Sequence, residues 1–301
     1  MKTILLGEAI LQFLKQGRVE LLWAEHTVRG YEIKLRLLHR YFGNMPVHQI
    51  TPADVRAWRQ WIASKPCQRR RGEPIGEVSL YHYSNAARVF WNYLHTQGYA
   101  VFDPEQILLR KPKMPERRFL NETDLLRLLE APSMTCKTGI RNRAILEVMF
   151  STGMRLSELC QVDRQDVNFS LNPAEITIRG KGGKQRVVFL SPRAVRYLQL
   201  WLKRHPDTCE ALFTTVYGDE PQRMSLRALH NAVKKCARRA GLEMSAHTMR
   251  HTFSTYMLNH GVDLYALMKM LGHAQLTTTQ VYLHVTNPSL REMHKKGMVL
   301  D

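Results

Sequence analysis

The residues best suited to chemistry lie between positions 247 and 282. This stretch contains His247, Arg250, His273 and Tyr282. Arginine and histidine side chains can bind phosphate oxygens, and a tyrosine phenol can attack phosphorus once a base has taken its proton. Each residue alone is more often an ordinary part of a helix than a catalytic group. Their combination in one short stretch predicts a site that binds a phosphate and attacks it.

The spacing of these residues predicts the elements that position them. His247 and Arg250 lie three positions apart, so on a helix they share one face. Asp263 can cap a second helix, and Gly272 can end that helix in a left-handed conformation. His273 would then leave a helix terminus, where its side chain can point into a cleft.

A second candidate phosphate ligand, Arg155, lies upstream in a compact motif. Residues 150–159 read FSTGMRLSEL. Gly153, two positions before the arginine, predicts a junction between two helices. Glu158, three positions after it, is expected to orient the arginine or to pack the site. A guanidinium is always charged and can bind two phosphate oxygens at once, so this residue type suits a phosphate site.

Together these motifs resemble a known family. The set consists of the upstream motif, HxxRH at 247–251, LGH at 271–273 and a tyrosine nine positions later. It resembles the signature of the tyrosine recombinases, that is the integrase family, and especially of its Xer-like members. Met154 stands where the family usually has leucine, a change that conserves side-chain volume. The resemblance covers residues 119–288 by specific motifs and residues 1–108 by architecture only.

A predicted β-hairpin lies between the two groups of motifs. Residues 175–179 alternate like a strand, residues 180–184 read as a turn, and residues 185–190 read as the returning strand. The resemblance places a catalytic lysine on such a hairpin, and Lys181 is the match. Lys184 is the alternative and is expected to contact a phosphate. The segment is not a P-loop, because the glycine spacing and the Ser/Thr after the lysine are missing.

The resemblance implies DNA strand cleavage and rejoining through a covalent 3′-phosphotyrosyl intermediate. Tyr282 would attack phosphorus, His247 would take its proton, and Lys181 would protonate the leaving oxygen. Two arginines on the phosphate oxygens can replace the metal ion of other phosphoryl-transfer sites, so no metal, other cofactor or ATP is expected. The predicted catalytic residues are Arg155, Lys181, His247, Arg250, His273 and Tyr282.

Composition narrows the possible classes of function. The chain has 301 residues and a formal net charge of +18. This excess of cations indicates a polyanionic partner, although DNA, RNA and an anionic membrane give the same signal. No apolar run approaches the roughly 20 residues of a membrane-spanning helix, and Gly7 with Glu8 interrupts the apolar start, which argues against a signal peptide. Five scattered cysteines without C-x-x-C predict reduced thiols and a cytoplasmic location.

Two domains joined by a short linker are expected. Residues 1–108 read as helices and resemble the family's core-binding (SAM-like) domain, which clamps one side of the duplex. Residues 109–118 contain two prolines among basic residues and suit an extended connector. Residues 119–301 form the predicted catalytic domain with its C-terminal tail. The predicted fold class is mostly α with a small antiparallel β-sheet, in the two-domain DNA-clamp architecture of the family.

Basic residues outside the catalytic set are candidate DNA contacts. A polar loop carries three consecutive arginines, and an exposed loop without a partner is the alternative interpretation. The linker carries two more candidates. Aromatic residues in the helix predicted over 78–97 are interpreted as core rather than as platforms for bases. The candidate DNA contacts are Arg69, Arg70, Arg71, Lys111, Lys113 and Lys184.

The resemblance also implies a partner and an assembly. Members of the family act on double-stranded DNA with an inverted-repeat core site, as a homotetramer on two duplexes. Residues 289–301 could dock on a neighbouring subunit, and a frayed tail is the alternative. Chromosome-dimer resolution, transposon resolution, phage-type integration and plasmid monomerisation all remain open as biological roles.

Three other functions compete with this interpretation. A type IB topoisomerase shares the Arg/Lys/His/Tyr chemistry, but the helical N-terminal region and HxxRH with LGH favour a recombinase. A DNA-binding regulator with an inactive site is disfavoured because every expected catalytic position is filled. A metal-dependent nuclease is disfavoured because the sequence lacks an acidic metal-binding cluster.

Overall fold

The structure is a computed structural model that describes residues 2–66, 72–112, 118–179, 185–205, 208–218 and 220–272. The chain divides into two compact units, Met1–Pro115 and Glu116–Asp301. Most described residues are helical, and the strands form one small antiparallel sheet, so the predicted fold class is confirmed. Within these described ranges, no helix combines the length and the apolar character needed to cross a membrane.

The first unit is built from helices. Its described α-helices are α1 (Leu6–Val19), α2 (Glu25–Phe42), α3 (Pro52–Ala63) and α4 (Glu77–Thr96). The start of α3 is fixed by a capping box, in which the Thr51 hydroxyl accepts from the Asp54 amide and the Asp54 carboxylate accepts from the Thr51 amide at 2.9 Å. This reciprocal pair satisfies two amides that a helix start leaves without partners.

Aromatic side chains fill the core of the first unit. The ring of Phe13 lies 5.3 to 5.5 Å, between centroids, from the rings of Trp23, Tyr31 and Phe90. Phe90 and Trp91, both on α4, are fully buried. These contacts have the edge-to-face geometry that aromatic rings prefer. The structure therefore places these two residues of α4 in the core, as the sequence predicts.

The second unit packs helices around one three-stranded sheet. Its described helices are α5 (Glu122–Glu130), α6 (Lys137–Thr152), α7 (Leu156–Leu159), α8 (Pro192–Leu202), α9 (Leu226–Arg239), α10 (Ala246–Asn259) and α11 (Leu264–Leu271). The strands are β1 (Val167–Asn168), β2 (Ala174–Arg179) and β3 (Gln185–Leu190), antiparallel and in that order across the sheet. The register pairs Ile178 with Arg186. As predicted, Asp263 caps α11 and Gly272 ends it in a left-handed conformation.

Helix α6 is the central element of the second unit, because nearly every residue along it is buried. A helix buried on all sides must pair the charges that it carries. Glu147 on α6 accepts from Arg143 at 2.8 Å and from Arg193 at 2.7 Å. Arg141 donates to the Thr214 carbonyl at 3.0 Å, and burial lowers the pKa of its guanidinium. These pairings compensate the charges that α6 buries, and the end of α6 leads directly to Arg155.

Candidate active site

Arg250 connects three parts of the second unit. It lies on α10 and is only 5% exposed. Its Nη1 donates to the Gly153 carbonyl at 2.8 Å, and its Nη2 donates to the Leu271 carbonyl at 2.8 Å. The first contact reaches the turn that carries Arg155, and the second reaches the end of α11. Arg250 therefore fixes these two parts of the unit relative to each other.

Gly153 allows α10 to come this close. It ends α6 with φ of 59°, a left-handed conformation that favours glycine. A Cβ atom at this position would overlap the ring of Phe253, which lies one helical turn after Arg250 on α10. The absence of a side chain at 153 thus serves both the turn and the packing of α10 against it.

Arg155 immediately precedes α7 and is held by Glu158. The Arg155 amide donates to Oε2 of Glu158 at 2.7 Å, and Nη1 of Arg155 donates to Oε1 at 3.0 Å. The Glu158 side chain is only 7% exposed, whereas that of Arg155 is 39% exposed. One carboxylate thus fixes both the backbone and the side chain of Arg155, and the guanidinium still reaches solvent, where a phosphate can bind it.

Arg186 is a further residue of this site that none of the sequence motifs indicates. It lies on β3 and donates from Nη1 and Nη2 to the two carboxylate oxygens of Glu158, each at 2.9 Å. The alternation along β3 gives a signal that could have found it. Arg186 shares a strand face with Val188 and Leu190, which are buried. A charge on the core-facing side of a strand requires a buried partner.

The structure brings part of the predicted catalytic set together. Arg250 contacts the turn after α6 that carries Arg155, and His247 lies exposed in the first turn of α10, three residues before Arg250. Lys111 is exposed in the first unit. The other predicted site residues lie outside the described residues; they are Arg69, Arg70, Arg71, Lys113, Lys181, Lys184, His273 and Tyr282.

The described part of the site is cationic. Two arginines surround one carboxylate, and Arg250 adds a third guanidinium beside the same turn. In the described ranges, no group of three His, Cys, Asp or Glu side chains is placed to hold a metal ion. The arrangement can bind an anion with fixed N–H donors, which is how phosphate oxygens are held.

The Glu158 carboxyl makes the stability of the second unit depend on pH. Burial acts to raise its pKa, but hydrogen bonds from Arg186 and from the Arg155 amide, together with both guanidinium charges, lower it below the ordinary value. A carboxyl whose pKa is lowered by folding stabilises the fold above its unfolded pKa, and this contribution is lost as the pH falls through the folded pKa.

Glu158→Gln is therefore expected to destabilise the second unit near neutral pH and to matter less in acid. Breaking a buried pair on one side costs about 3 kcal/mol, because two guanidinium groups lose their counter-charge. The difference from the unmodified chain is expected to shrink as the pH falls through about 4.3, where the unfolded carboxyl is half protonated. Calorimetric unfolding between pH 7 and pH 3.5 measures this difference.

Glu130→Gln, at an exposed carboxylate at the end of α5, is the control for a general effect of losing one negative charge. A Glu158→Gln deficit that stays constant over the same pH range would contradict the proposed linkage.

Comparison with known proteins assigns the family. Residues 118–288 match the model of the phage integrase family, which is more than half of the chain. The chain belongs to the phage integrase family. The Xer-like resemblance drawn from the motifs is confirmed, and the activity of the chain is site-specific recombination by a tyrosine recombinase.

Two relatives from Staphylococcus saprophyticus are similar to this chain to nearly the same degree. The chain is 33% identical to its tyrosine recombinase XerD over 299 residues, covering 95% of this chain and 97% of the relative. It is 32% identical to the tyrosine recombinase XerC of the same organism over 290 residues, covering 94% of each. These identities place the chain with Xer recombinases without favouring either type.

A solved structure shows the same fold. The XerH site-specific recombinase, in a pre-cleavage complex with its difH substrate, has a TM-score of 0.71 and 24% identity, covering 96% of this chain and 83% of that chain. The shared fold extends over both units of the chain, including the first unit, where the sequence offers architecture rather than motifs.

Proposed function

We propose that this recombinase cleaves and rejoins double-stranded DNA through a bond between Tyr282 and a 3′-phosphate. One observation supports the proposal: Arg250 donates to the carbonyl of Gly153, two residues before Arg155, so the two separate motifs lie against each other and can act on one anion. A phosphodiester is the anion that suits them, since its two non-bridging oxygens gain charge when phosphorus is attacked.

The reaction can be balanced with residues of this chain. The Tyr282 oxygen attacks phosphorus and the bond from phosphorus to the 5′-oxygen breaks. We assign the phenol proton to His247 and the proton gained by the leaving 5′-oxygen to Lys181. Arg155, Arg250 and His273 hold the phosphate oxygens. Because one phosphodiester replaces another, the 5′-hydroxyl of a partner strand can reverse the attack without ATP.

The surface of α9 supports the choice of a nucleic acid as substrate. Lys234, Lys235, Arg238 and Arg239 are all exposed along this helix. Cations that neutralise phosphates release counterions, so binding through them weakens steeply with salt. We assign the same role to the arginines at 69–71, Lys111, Lys113 and Lys184, on the basis of their charge and position in the sequence.

We further propose an inverted-repeat core site and a homotetramer that holds two duplexes, with residues 289–301 docking on a neighbouring subunit. The solved XerH recombinase was captured on its difH substrate, which supports duplex DNA as the partner. Exchange of strands between two duplexes needs four cleavages, and four copies of one active site supply them. The cytoplasm, where chromosomal and mobile DNA are accessible, is the proposed location.

The experiment that tests this function starts from trapped DNA. Protein–DNA adducts are isolated from cells expressing the chain, and the attached DNA is sequenced to define the site. A synthetic duplex with that site and a nick beside the cleaved bond then accumulates the adduct in the presence of EDTA. We expect a free 5′-hydroxyl on the released strand, and a DNA 3′-end on the peptide that contains Tyr282.

Absence of any covalent DNA, or attachment to a peptide that lacks position 282, would overturn the proposal. Relaxation of supercoiled plasmids that lack the trapped site, without recombinant products, would instead indicate topoisomerase activity. The salt dependence of binding to the same duplex separates phosphate contacts from the chemical step.

A further inference from the structure

Arg186 occupies a junction between three elements of the second unit. Its two Nη atoms donate to the carboxylate of Glu158, and its Nε donates to the Met270 carbonyl at 3.1 Å. Its side chain is only 15% exposed. The planar guanidinium uses both of its edges, one for the carboxylate of Glu158 on α7 and the other for the end of α11. A lysine has no such fork and cannot make both contacts at once.

The charge balance around Glu158 depends on this arginine. The carboxylate accepts hydrogen bonds from Arg155 and from Arg186. Two guanidinium groups and one carboxylate leave a net charge of +1. Without Arg186, Glu158 would neutralise Arg155 completely and could draw its guanidinium into a bidentate pair. Arg186 thereby leaves Arg155 with an uncompensated charge for a phosphate.

The end of α11 is held by two arginines. The last carbonyls of a helix lack partners within it, and cations are favoured there. Arg186 donates to the carbonyl of Met270, and Arg250 donates to that of Leu271. A Cβ atom at Gly272 would lie 3.0 Å from the side chain of Arg186, so glycine leaves room for this contact.

We propose that Arg186 is a positioning residue for strand cleavage, which keeps Arg155 available to the scissile phosphate and fixes the end of α11. The proposal rests on the role proposed above for Arg155 as a phosphate ligand. It assigns Arg186 no contact with DNA. Its effect on the reaction passes through Glu158 on one side and through the Met270 carbonyl on the other.

The test uses the nicked duplex at saturating protein, where the rate of adduct formation is separate from DNA affinity. Arg186→Ala is expected to lower this rate about 100-fold, comparable with the loss of one preorganised donor. The affinity for the duplex is expected to stay within about threefold, because Arg186 is not a phosphate contact. Arg186→Lys is expected to form the adduct at a rate between those of Arg186→Ala and the unmodified chain, since lysine restores the charge without the fork.

A second-site variant distinguishes positioning from simple loss of stability. Glu158→Gln in the Arg186→Ala background removes the negative charge that would neutralise Arg155, so adduct formation is expected to recover about tenfold. At a temperature where all variants are folded, a purely structural role predicts no such recovery, because only the charge left on Arg155 for a phosphate links Glu158→Gln to the rate. A double variant no faster than Arg186→Ala would overturn the inference.

Arg193→Ala is the matched control. Arg193 also donates to a buried glutamate, Glu147, but it makes this contact on α6, away from Glu158 and Arg155. We expect it to lower the melting temperature while leaving adduct formation unchanged. If Arg186→Ala cleaves as fast as this control while Arg155→Ala is inactive, the inference on Arg186 fails and the proposed function stands. If the unmodified chain forms no adduct, the proposed function itself fails.

Discussion

Tyr282→Phe is expected to form no covalent complex with the nicked duplex. The substitution removes one oxygen atom, so the group that attacks phosphorus is lost while the ring remains. Removal of the catalytic nucleophile in a serine protease lowers the rate by a factor on the order of 10⁶, and a loss of similar size here would leave no adduct detectable on a gel. Denaturing gel electrophoresis of the labelled duplex measures the adduct.

The matched control is Tyr265→Phe. Tyr265 lies on α11 and is 56% exposed, so it is an accessible phenol in the same unit. We expect this variant to form the adduct at the normal rate, and both variants to bind the duplex with unchanged affinity. Adduct formation by Tyr282→Phe, or its loss in Tyr265→Phe alone, would show that the nucleophile has been assigned to the wrong residue.

Arg250→Ala is expected to have the second-largest effect. It removes a guanidinium proposed to hold the phosphate, which lowers adduct formation about 10³-fold. It also leaves the buried carbonyls of Gly153 and Leu271 without this donor, and each such loss costs about 1 to 3 kcal/mol of stability. Arg250→Lys is expected to recover little, because one ammonium cannot span two carbonyls and a phosphate. Rates on the nicked duplex and calorimetric unfolding measure the two effects.

Arg127→Ala controls for the loss of stability in Arg250→Ala. Arg127 donates from Nη2 to the carbonyl of Ala240 at 2.6 Å, just after the end of α9, and thus also satisfies a carbonyl near a helix terminus. We expect it to destabilise the second unit while sparing adduct formation. If Arg250→Ala loses only stability, and its rate at a temperature where it is folded equals that of the control, then Arg250 is a structural residue and not a phosphate ligand.

Much of this site could be predicted because its signals are local in the sequence. The cap at Asp263 and the left-handed ends at Gly153 and Gly272 depend on a few neighbouring residues, and the structure contains all three. The pairing of Glu158 with Arg155 follows from a spacing of three residues.

The remaining contacts could not be predicted because they join distant parts of the chain. The contacts from Arg186 to Glu158 and to the end of α11 depend on the position of β3 against two helices. Spacing along the chain carries no information about that position. The same holds for Arg250, whose motif suggested a phosphate ligand but gave no sign that two carbonyls share its guanidinium.

The close approach of Gly153 to Phe253 restricts how this sequence can diverge. A side chain at 153 would push α10 outward and carry Arg250 away from the carbonyl that it binds. Such a change is tolerable only when the phenylalanine at 253 is replaced by a residue with a shorter side chain. Across related sequences these two positions are therefore expected to covary, and a bulky pair at both is expected to mark a lineage that no longer depends on the arginine between them.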